Sequence, residues 1–407
     1  MMAMETTRTD VAVVGAGPIG LELAVALKRS GIDYVHFDAR QIGYTISWFP
    51  PQTRFFSSSE RIAIAGVPLQ TPDQMKATRE EYLAYLRGIV DQFDLEVHTY
   101  EAVVGIHRNA SEFLVTTQPA GRRRRRYRAR RIVLCTGDTD RPRRLNIPGE
   151  DLPHVSHYLR DPHPYYRKRL LVVGGKNSAV ESALRCYHAG AEVSISYRRE
   201  QFNPKSIKYW LLPEINGLIA DGKIAAFFNT VPVEITATSV RLAPWQEEDA
   251  GSWGRGDAER VDEKKAIGVG ARSGDGTGSE GSSPDNVAVS GSSDLNVPAS
   301  PRPRVPALAQ VEADFLLLQI GYEQDTTLFE LAGVELAGPS RAPAHDERTM
   351  ETNVPGLYVA GTAVAGTQDR FRLFIENCHV HVHRICAALT GSAPPAGVTA
   401  EYQAPES

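Results

Sequence analysis

Short hydrophobic runs and glycine turns organise the start of the chain. Two apolar runs, residues 11–14 and 34–37, flank a segment whose apolar residues recur at helical spacing. The turn Gly15-Ala16-Gly17-Pro18-Ile19-Gly20 joins the first run to this segment, and Asp38 follows the second run. The pattern predicts a strand, a tight turn, a helix and a second strand.

The glycine spacing and the acid indicate a dinucleotide-binding turn. Gly15 would allow the turn, Gly17 would let the backbone approach a pyrophosphate, and Gly20 would let the helix pack on the strand. The phosphates would sit at the helix N-terminus, and Asp38 would accept hydrogen bonds from the adenosine ribose. The alternative is an ordinary βαβ turn without a ligand.

The next segment alternates between helical and strand-like patterns. Residues 72–93 have the spacing of an amphipathic helix, and residues 95–100, 102–107 and 112–117 resemble the strands of a small antiparallel meander. Residues 122–131 carry eight arginines, which we interpret as a solvated hairpin arm, with phosphate or nucleic-acid binding as the alternative. An apolar strand over 132–137 then ends at Thr136-Gly137.

A second pattern of strand, glycine turn, helix and strand, which we call the second fingerprint, begins at Leu170. An apolar strand, the turn Gly174-Gly175, a helix over 178–189 and a strand ending at Tyr197 repeat the first pattern, with Lys176 at the middle glycine position. Arg198 and Arg199 stand where the first unit has Asp38. A basic pair there favours NADP over NAD because it would accommodate the ribose 2′-phosphate, although two solvated arginines are the alternative.

The rest of the chain defines the expected domain organisation. Residues 247–306 are dominated by Gly, Ser, Asp and Pro, which predicts a disordered insertion in a hairpin loop. No third fingerprint follows, so residues 351–391 would complete the first domain. The predicted domains are 1–152 (FAD-binding, first part), 153–311 (NADPH-binding, with the insertion), 312–394 (FAD-binding, second part) and 395–407 (flexible tail).

Composition narrows the function classes. The 407 residues are 42% hydrophobic and 23% charged, with a formal net charge of −4, so neither nucleic acid nor an anionic membrane is an expected partner. No run of eighteen apolar residues occurs, and the cytoplasm is the expected compartment. The four cysteines form no CxxC pair, which fits a reducing compartment. Only His379 and His383 of the 378–383 run would share a helix face, so no metal site is expected.

This arrangement resembles the thioredoxin-reductase-like flavoproteins, in which an FAD domain is split around an NADPH domain. The blocks WFPPQTRFFSSSERIAIAGVP, GGKNSAVESAL, SIKYWLLPEINGL and FIEN look like those of the bacillithiol disulfide reductase (bacilliredoxin reductase) group. Two departures matter. The group usually has Cys where this chain has Ile19, and the superfamily usually has a ribityl-binding Asp where this chain has Thr362.

The resemblance implies an α/β fold with two Rossmann-like, three-layer dinucleotide-binding domains and a homo-oligomer. It implies FAD and NADPH as cofactors. The N-terminus of the final helix, around residues 374–377, would direct its dipole at the flavin, with simple core packing as the alternative. The candidates for FAD binding are Gly15, Gly17, Pro18, Ile19, Gly20, Asp38, Thr136, Gly137, Gly361, Thr362, Phe374, Ile375, Glu376 and Asn377. The candidates for NADPH binding are Gly174, Gly175, Lys176, Asn177, Ser178, Ala179, Arg198 and Arg199.

The expected activity is hydride transfer from NADPH to the flavin and then to a low-molecular-weight or protein disulfide. No catalytic side chain is assigned. Cys135 and Cys378 are weak candidates, with buried, inert cysteine as the alternative for each. A flavoenzyme with a quinone, oxygen or electron-transfer protein as acceptor, and a non-catalytic redox sensor, remain alternatives. A flavin-containing monooxygenase fits poorly because no FxGxxxHxxxW-type stretch is present.

Overall fold

The computed structural model describes residues 6–109, 111–245, 309–368 and 373–392. The predicted insertion at 247–306 and the predicted tail lie outside these residues. The strands are β1 (Thr6–Val14), β2 (Tyr34–Phe37), β3 (Val97–His98), β4 (Glu101–Asn109), β5 (Glu112–Pro119), β6 (Arg125–Leu134), β7 (Arg141–Pro142), β8 (Val155–Ser156), β9 (Arg169–Val173), β10 (Glu192–Tyr197), β11 (Ala225–Phe228), β12 (Thr230–Ile235), β13 (Ser239–Pro244), β14 (Ala309–Glu312), β15 (Phe315–Leu318), β16 (Tyr322–Glu323), β17 (Leu336–Ala337), β18 (Ala342–Pro343) and β19 (Leu357–Val359). The α-helices are α1 (Pro18–Arg29), α2 (Ser59–Ile62), α3 (Arg79–Gln92), α4 (Asn177–His188), α5 (Leu212–Ala220), α6 (Thr327–Leu331) and α7 (Ile375–Thr390).

The first sheet contains the first glycine turn. Its strand order is β3-β2-β1-β6-β5-β4, and β19 also pairs with β6. Strands β3, β2, β1, β6 and β19 run parallel, whereas β4 and β5 are antiparallel. Because β19 joins this sheet, the end of the described chain returns to the first fingerprint, as expected from the missing third one.

The arginine run differs from the prediction. Residues 125–131 are not a separate arm before an apolar strand, because they form the first part of the single long strand β6. Its arginines alternate with the buried Tyr127 and Ala129, which is the period of a strand with one buried face. Carboxylates neutralise part of the run: Arg125 pairs with Glu101 at 3.2 Å and Arg130 with Asp10 at 2.9 Å.

Helix α3 begins later than the periodicity predicts. It starts at Arg79 rather than near residue 72, because Thr78 caps it. The Thr78 hydroxyl accepts from the Glu81 N–H at 3.3 Å, and the Glu81 carboxylate accepts from the Thr78 N–H at 2.8 Å. This capping box fixes the start of the helix.

The second sheet contains the second glycine turn. Its order is β11-β10-β9-β15-β8, with parallel pairing throughout. Strand β15 belongs to this sheet, so the sheet continues past the predicted boundary at residue 311. The antiparallel strands β12, β13 and β14 form a separate sheet.

Buried side chains cover both faces of the parallel strands in the first and second sheets. On the second sheet, one face packs against α4 and α5 through Ala183 and Ile215, and the other against the three-stranded sheet through Val240. This is the predicted α/β fold with two Rossmann-like units. In the described ranges, no helix is long and apolar enough to cross a membrane.

Candidate active site

The first glycine turn has one open position and two crowded ones. Gly15 adopts φ +107°, and a Cβ there would lie 2.4 Å from the Cys135 carbonyl oxygen. A Cβ on Gly20 would lie 1.9 Å from the Gly15 carbonyl oxygen, so α1 packs directly on the turn. A Cβ on Gly17 would meet nothing within 4 Å, and no side chain caps the helix there. The backbone of Gly17 and the N-terminus of α1 thus form an open cradle that suits a pyrophosphate.

Two polar side chains from β2 and its end hold this turn. His36 Nε2 donates to the Gly15 carbonyl oxygen at 2.9 Å, and burial lowers the pKa of His36 to about 4, which keeps the ring neutral. The Asp38 carboxylate accepts from the N–H groups of Ala16 at 2.6 Å and Arg40 at 2.7 Å. Asp38 therefore braces the turn, a role that its position alone did not reveal. Burial raises the pKa of Asp38, against the two backbone hydrogen bonds that lower it.

The carboxyl ends of β6 and β19 meet beside the first cradle. A Cβ on Gly137 would lie 3.9 Å from the Thr362 hydroxyl, and a Cβ on Gly361 would lie 3.4 Å from the Cβ of Ile19. The structure thus brings together Thr136, Gly137, Gly361, Thr362 and the first turn. The buried Thr136 hydroxyl has no hydrogen-bond partner among the residues that the structure describes.

Asp138 is a polar residue of this edge that the sequence analysis missed. Its Oδ2 accepts from Gln368 Nε2 at 2.8 Å, and its Oδ1 accepts from the Thr139 hydroxyl at 3.4 Å. Burial raises the pKa of Asp138, although these donors act in the opposite direction. Its position directly after Thr-Gly at a strand end is the signal that could have identified it.

The N-terminus of α7 is held by its own side chains. Asn377 Oδ1 accepts from the Phe374 N–H at 2.8 Å, so this amide caps the helix. Glu376 is buried and pairs with Arg61 at 3.7 Å. Ile375 packs against the core beneath the first turn. Of the four predicted residues, Asn377 and Glu376 therefore already have intramolecular partners.

Two histidines of α7 are fixed by hydrogen bonds. His381 Nδ1 accepts from the Gly361 N–H at 3.2 Å, and burial lowers the pKa of His381 to about 3, so its ring is neutral. His379 contacts the Glu22 carboxylate at 2.7 Å and the Arg61 carbonyl oxygen at 3.0 Å. Because both partners are acceptors, both ring nitrogens of His379 carry protons. Burial is the largest single effect and opposes this charge. The hydrogen bond and charge of Glu22, the Arg61 carbonyl oxygen and the charge of Glu376 together outweigh it and raise the pKa of His379.

The second glycine turn is more crowded than the first. Gly174 adopts φ +137°, and a Cβ there would lie 2.3 Å from the Gln319 carbonyl oxygen and 2.9 Å from the Cβ of Ala179. A Cβ on Gly175 would lie 2.4 Å from the ring of Tyr197. Gly175 is therefore required by the packing of Tyr197. Lys176 is the residue before α4, and no side-chain hydrogen bond caps the helix there.

The remaining residues of the second turn differ in their surroundings. Ser178 is exposed on the first turn of α4, whereas Asn177 Oδ1 accepts from the Lys208 N–H at 2.6 Å. Arg198 and Arg199 follow β10 and are half-buried, and the Arg198 guanidinium lies 5.2 Å from the Trp245 ring centroid. The basic pair thus lies at the carboxyl edge of the second sheet, as the strand pattern predicts.

Buried charges connect α4 to the loop at residues 51–54. Lys208 is buried, and its Nζ contacts Glu181 Oε2 at 2.8 Å and the Arg54 carbonyl oxygen at 3.2 Å. Arg185 donates to the Pro51 carbonyl oxygen at 2.6 Å. These contacts hold the helix of the second turn against a loop that belongs to the first part of the chain.

The cysteines are poorly placed for thiol chemistry. All four are free, and Cys135 and Cys378 are buried. Burial raises the pKa of Cys135 to about 12 and that of Cys378 well above its usual value. Since the thiolate is the reactive form, neither weak candidate has the environment of a nucleophile. Among the residues described, no cluster of His, Cys, Asp and Glu has the arrangement of a metal site.

Two sheets, in each of which a parallel strand leads through a glycine turn into a helix, are typical of proteins that bind dinucleotides. The chain belongs to the pyridine nucleotide-disulphide oxidoreductase family, whose model matches residues 12–252. This membership confirms the predicted class, a flavin oxidoreductase that uses a pyridine nucleotide.

Three relatives refine this assignment. The chain is 29% identical to bacilliredoxin reductase Bdr of Bacillus subtilis over 378 residues. This alignment covers 93% of this chain and 96% of the Bdr sequence. The solved structure of bacillithiol disulfide reductase Bdr (YpdA) from Bacillus cereus has a TM-score of 0.75 at 28% identity, covering 95% of this chain and 99% of that chain. Thioredoxin reductase of T. acidophilum shares the fold, with a TM-score of 0.62 at 16% identity over 94% of this chain and 98% of that chain. The resemblance to the bacillithiol disulfide reductase group is confirmed.

Proposed function

We propose that the chain is an NADPH-dependent flavin oxidoreductase that binds FAD at the first glycine turn and NADPH at the second. The observation that carries this proposal is the open backbone of Gly17 at an uncapped helix N-terminus, beside the unpartnered hydroxyl of Thr136. Both features leave space and donors for a bound group. When bound, the pair would supply hydride transfer from the nicotinamide to the flavin.

The side chains of the first site would position FAD rather than react. Gly17 and the N-terminus of α1 would bind its pyrophosphate, and Asp38 would hold the ribose end while it braces the turn. The N-terminus of α7, with its Asn377 cap, would direct the positive end of the helix dipole at the flavin and stabilise negative charge there.

At the second site, α4 would bind the pyrophosphate of NADPH. Lys176 would contribute a cation where the usual glycine is absent. Arg198 and Arg199 would pair with the 2′-phosphate at the edge of the second sheet. The Lys208 contacts would keep this helix in a fixed position relative to the loop at residues 51–54.

For the electron acceptor, we propose a disulfide of a low-molecular-weight compound or of a protein. Family membership and the similarity to Bdr support this class. A second candidate is a non-disulfide acceptor such as a quinone, oxygen or an electron-transfer protein. This candidate is favoured by Ile19, which is buried and stands where the group usually has Cys. The thiols of Cys135 and Cys378 are also buried, so none of these three positions offers a reactive thiol.

Anaerobic reduction followed by an acceptor panel tests both candidates. We expect the purified chain to show a flavin spectrum that NADPH bleaches. Turnover with a disulfide, but not with a quinone or oxygen, supports the disulfide acceptor. Turnover with quinone or oxygen alone supports the second. Cys135→Ser and Cys378→Ser should retain full turnover if the thiols are inert. A colourless protein that cannot be reconstituted with FAD would overturn the cofactor assignment.

Coenzyme choice has a separate test in Arg199→Glu. The change replaces a cation with an anion, so the KM for NADPH should rise by about tenfold or more, with a small effect on NADH. Lys223→Glu has the same change in charge at an exposed position beside Asp221, and should leave the two KM values unchanged. Equal effects of Arg199→Glu on both coenzymes would contradict the assignment.

A further inference from the structure

Asp138 occupies the edge at which three parallel strands end. Strand β6 pairs with β1 through Leu134 and Val14, and with β19 through Leu134 and Val359. Ligands of such sheets bind in the crevice outside the carboxyl ends of the strands. Asp138 directly follows Gly137, which faces Thr362, and the neighbouring Gly361 faces Ile19 of the first glycine turn. Asp138 therefore borders the same crevice as that turn.

The Asp138 carboxylate is held by neutral donors. Gln368 donates to Oδ2 at 2.8 Å, and the Thr139 hydroxyl donates to Oδ1 at 3.4 Å. In the described ranges, no Lys, Arg or His forms an ion pair with it. A carboxylate has about four lone-pair sites on its two oxygens, so these contacts leave acceptor capacity.

A neighbouring group points to the same ligand chemistry. The buried Thr136 hydroxyl, two residues before Asp138, has no hydrogen-bond partner within the described part of the chain. A carboxylate with spare acceptor sites next to a free hydroxyl suits a chain of hydroxyl groups, which both donate and accept. In FAD, the ribityl chain is such a group, and it joins the pyrophosphate to the flavin ring.

We propose that Asp138, held by Gln368 and Thr139, is the residue that binds the ribityl hydroxyls of FAD. The inference rests on the proposed function, because it requires FAD in the first cradle. It assigns the acid to the end of β6, in a chain that has Thr362 where the superfamily usually has the ribityl-binding Asp.

The test compares FAD with ADP, which has the adenosine and the pyrophosphate but no ribityl chain. The full chain is stripped of flavin, and binding is measured by flavin fluorescence for FAD and by calorimetry for ADP. Asp138→Ala should raise the Kd for FAD by about 10- to 100-fold, since hydrogen bonds to a charged group are lost, and should leave the Kd for ADP unchanged. Gly17→Ala should weaken both ligands.

A matched control and a conservative variant keep the result interpretable. Asp140→Ala removes a carboxylate from the same loop and should bind both ligands as the wild type does. Asp138→Asn has the same shape without the charge, and its thermal unfolding without flavin reports on folding. An unchanged FAD Kd, or an equal loss for FAD and ADP, overturns the inference. A wild-type chain that binds no FAD overturns the proposed function, and the inference with it.

Discussion

The first glycine turn allows a matched pair of substitutions that separates folding from cofactor binding. Gly20→Ala places a Cβ 1.9 Å from the Gly15 carbonyl oxygen, and a backbone oxygen cannot rotate away. Overpacking costs about 1–3 kcal/mol, and this contact belongs at the upper end. At roughly 2–4 °C per kcal/mol, we expect the Tm of the flavin-free protein to fall by about 6–12 °C.

Gly17→Ala should have the opposite profile. Gly17 has φ −75°, which any residue adopts, and its added Cβ meets nothing within 4 Å. The free energy of unfolding of the flavin-free chain should therefore change by less than about 0.5 kcal/mol. The new methyl group would instead occupy the space that the pyrophosphate needs. A penalty of about 1–3 kcal/mol corresponds to a Kd for FAD that is about 5- to 150-fold higher.

Both variants are measured on flavin-free protein, by thermal unfolding and by titration with FAD. A wild-type Kd for Gly17→Ala would show that the pyrophosphate does not approach this residue, and the proposed cradle would be wrong. A wild-type Tm for Gly20→Ala would show that α1 does not pack on the turn as closely as described. Either result refutes the steric argument for its own position.

Two further predictions concern the polar contacts around the site. Lys208→Met keeps the side-chain volume but removes the cation that pairs with Glu181, which retains Arg185 at 3.4 Å. We expect the free energy of unfolding in urea to fall by about 2–3 kcal/mol. This is less than the roughly 3–5 kcal/mol lost when a buried pair is fully broken, because Arg185 remains. A decrease in the free energy of unfolding below about 0.5 kcal/mol would contradict the burial of the Lys208–Glu181 pair. His379 has a raised pKa, so its bond to Glu22 stabilises the fold fully below about pH 6.5 and loses this effect as pH rises through the folded pKa. The Tm difference between wild type and His379→Gln should therefore shrink with rising pH, and a constant difference would rule out the charged ring.

Local patterns predicted the elements of both fingerprints well. Strand β2, helix α4 and the return of β19 to the first sheet follow from hydrophobic period and glycine spacing, which are short-range signals. Strand β6 was predicted only in its apolar half, because the charge of residues 125–131 hid an alternation that Tyr127 and Ala129 mark. The predicted start of helix α3 was too early, although Thr78 and Glu81 have the spacing of a capping box, which marks the observed start.

The site was less accessible from sequence because its contacts join distant segments. Nothing in the sequence indicates that Glu22 contacts His379, or that Asp138 contacts Gln368. The ring of Tyr197 explains Gly175 by packing, which a motif comparison cannot distinguish from ligand approach. Tertiary contacts of this kind need the folded chain.

The return of β19 has a consequence for the order in which the protein folds. Strands β8, β9, β10, β11 and β15 of the second sheet lie between residues 155 and 318, so all of them are synthesised before Leu357. The first sheet must wait for residues 357–359 to pair with β6. During synthesis, every strand of the second sheet is therefore available before the last strand of the first sheet is made, so the second sheet can form while the first is incomplete.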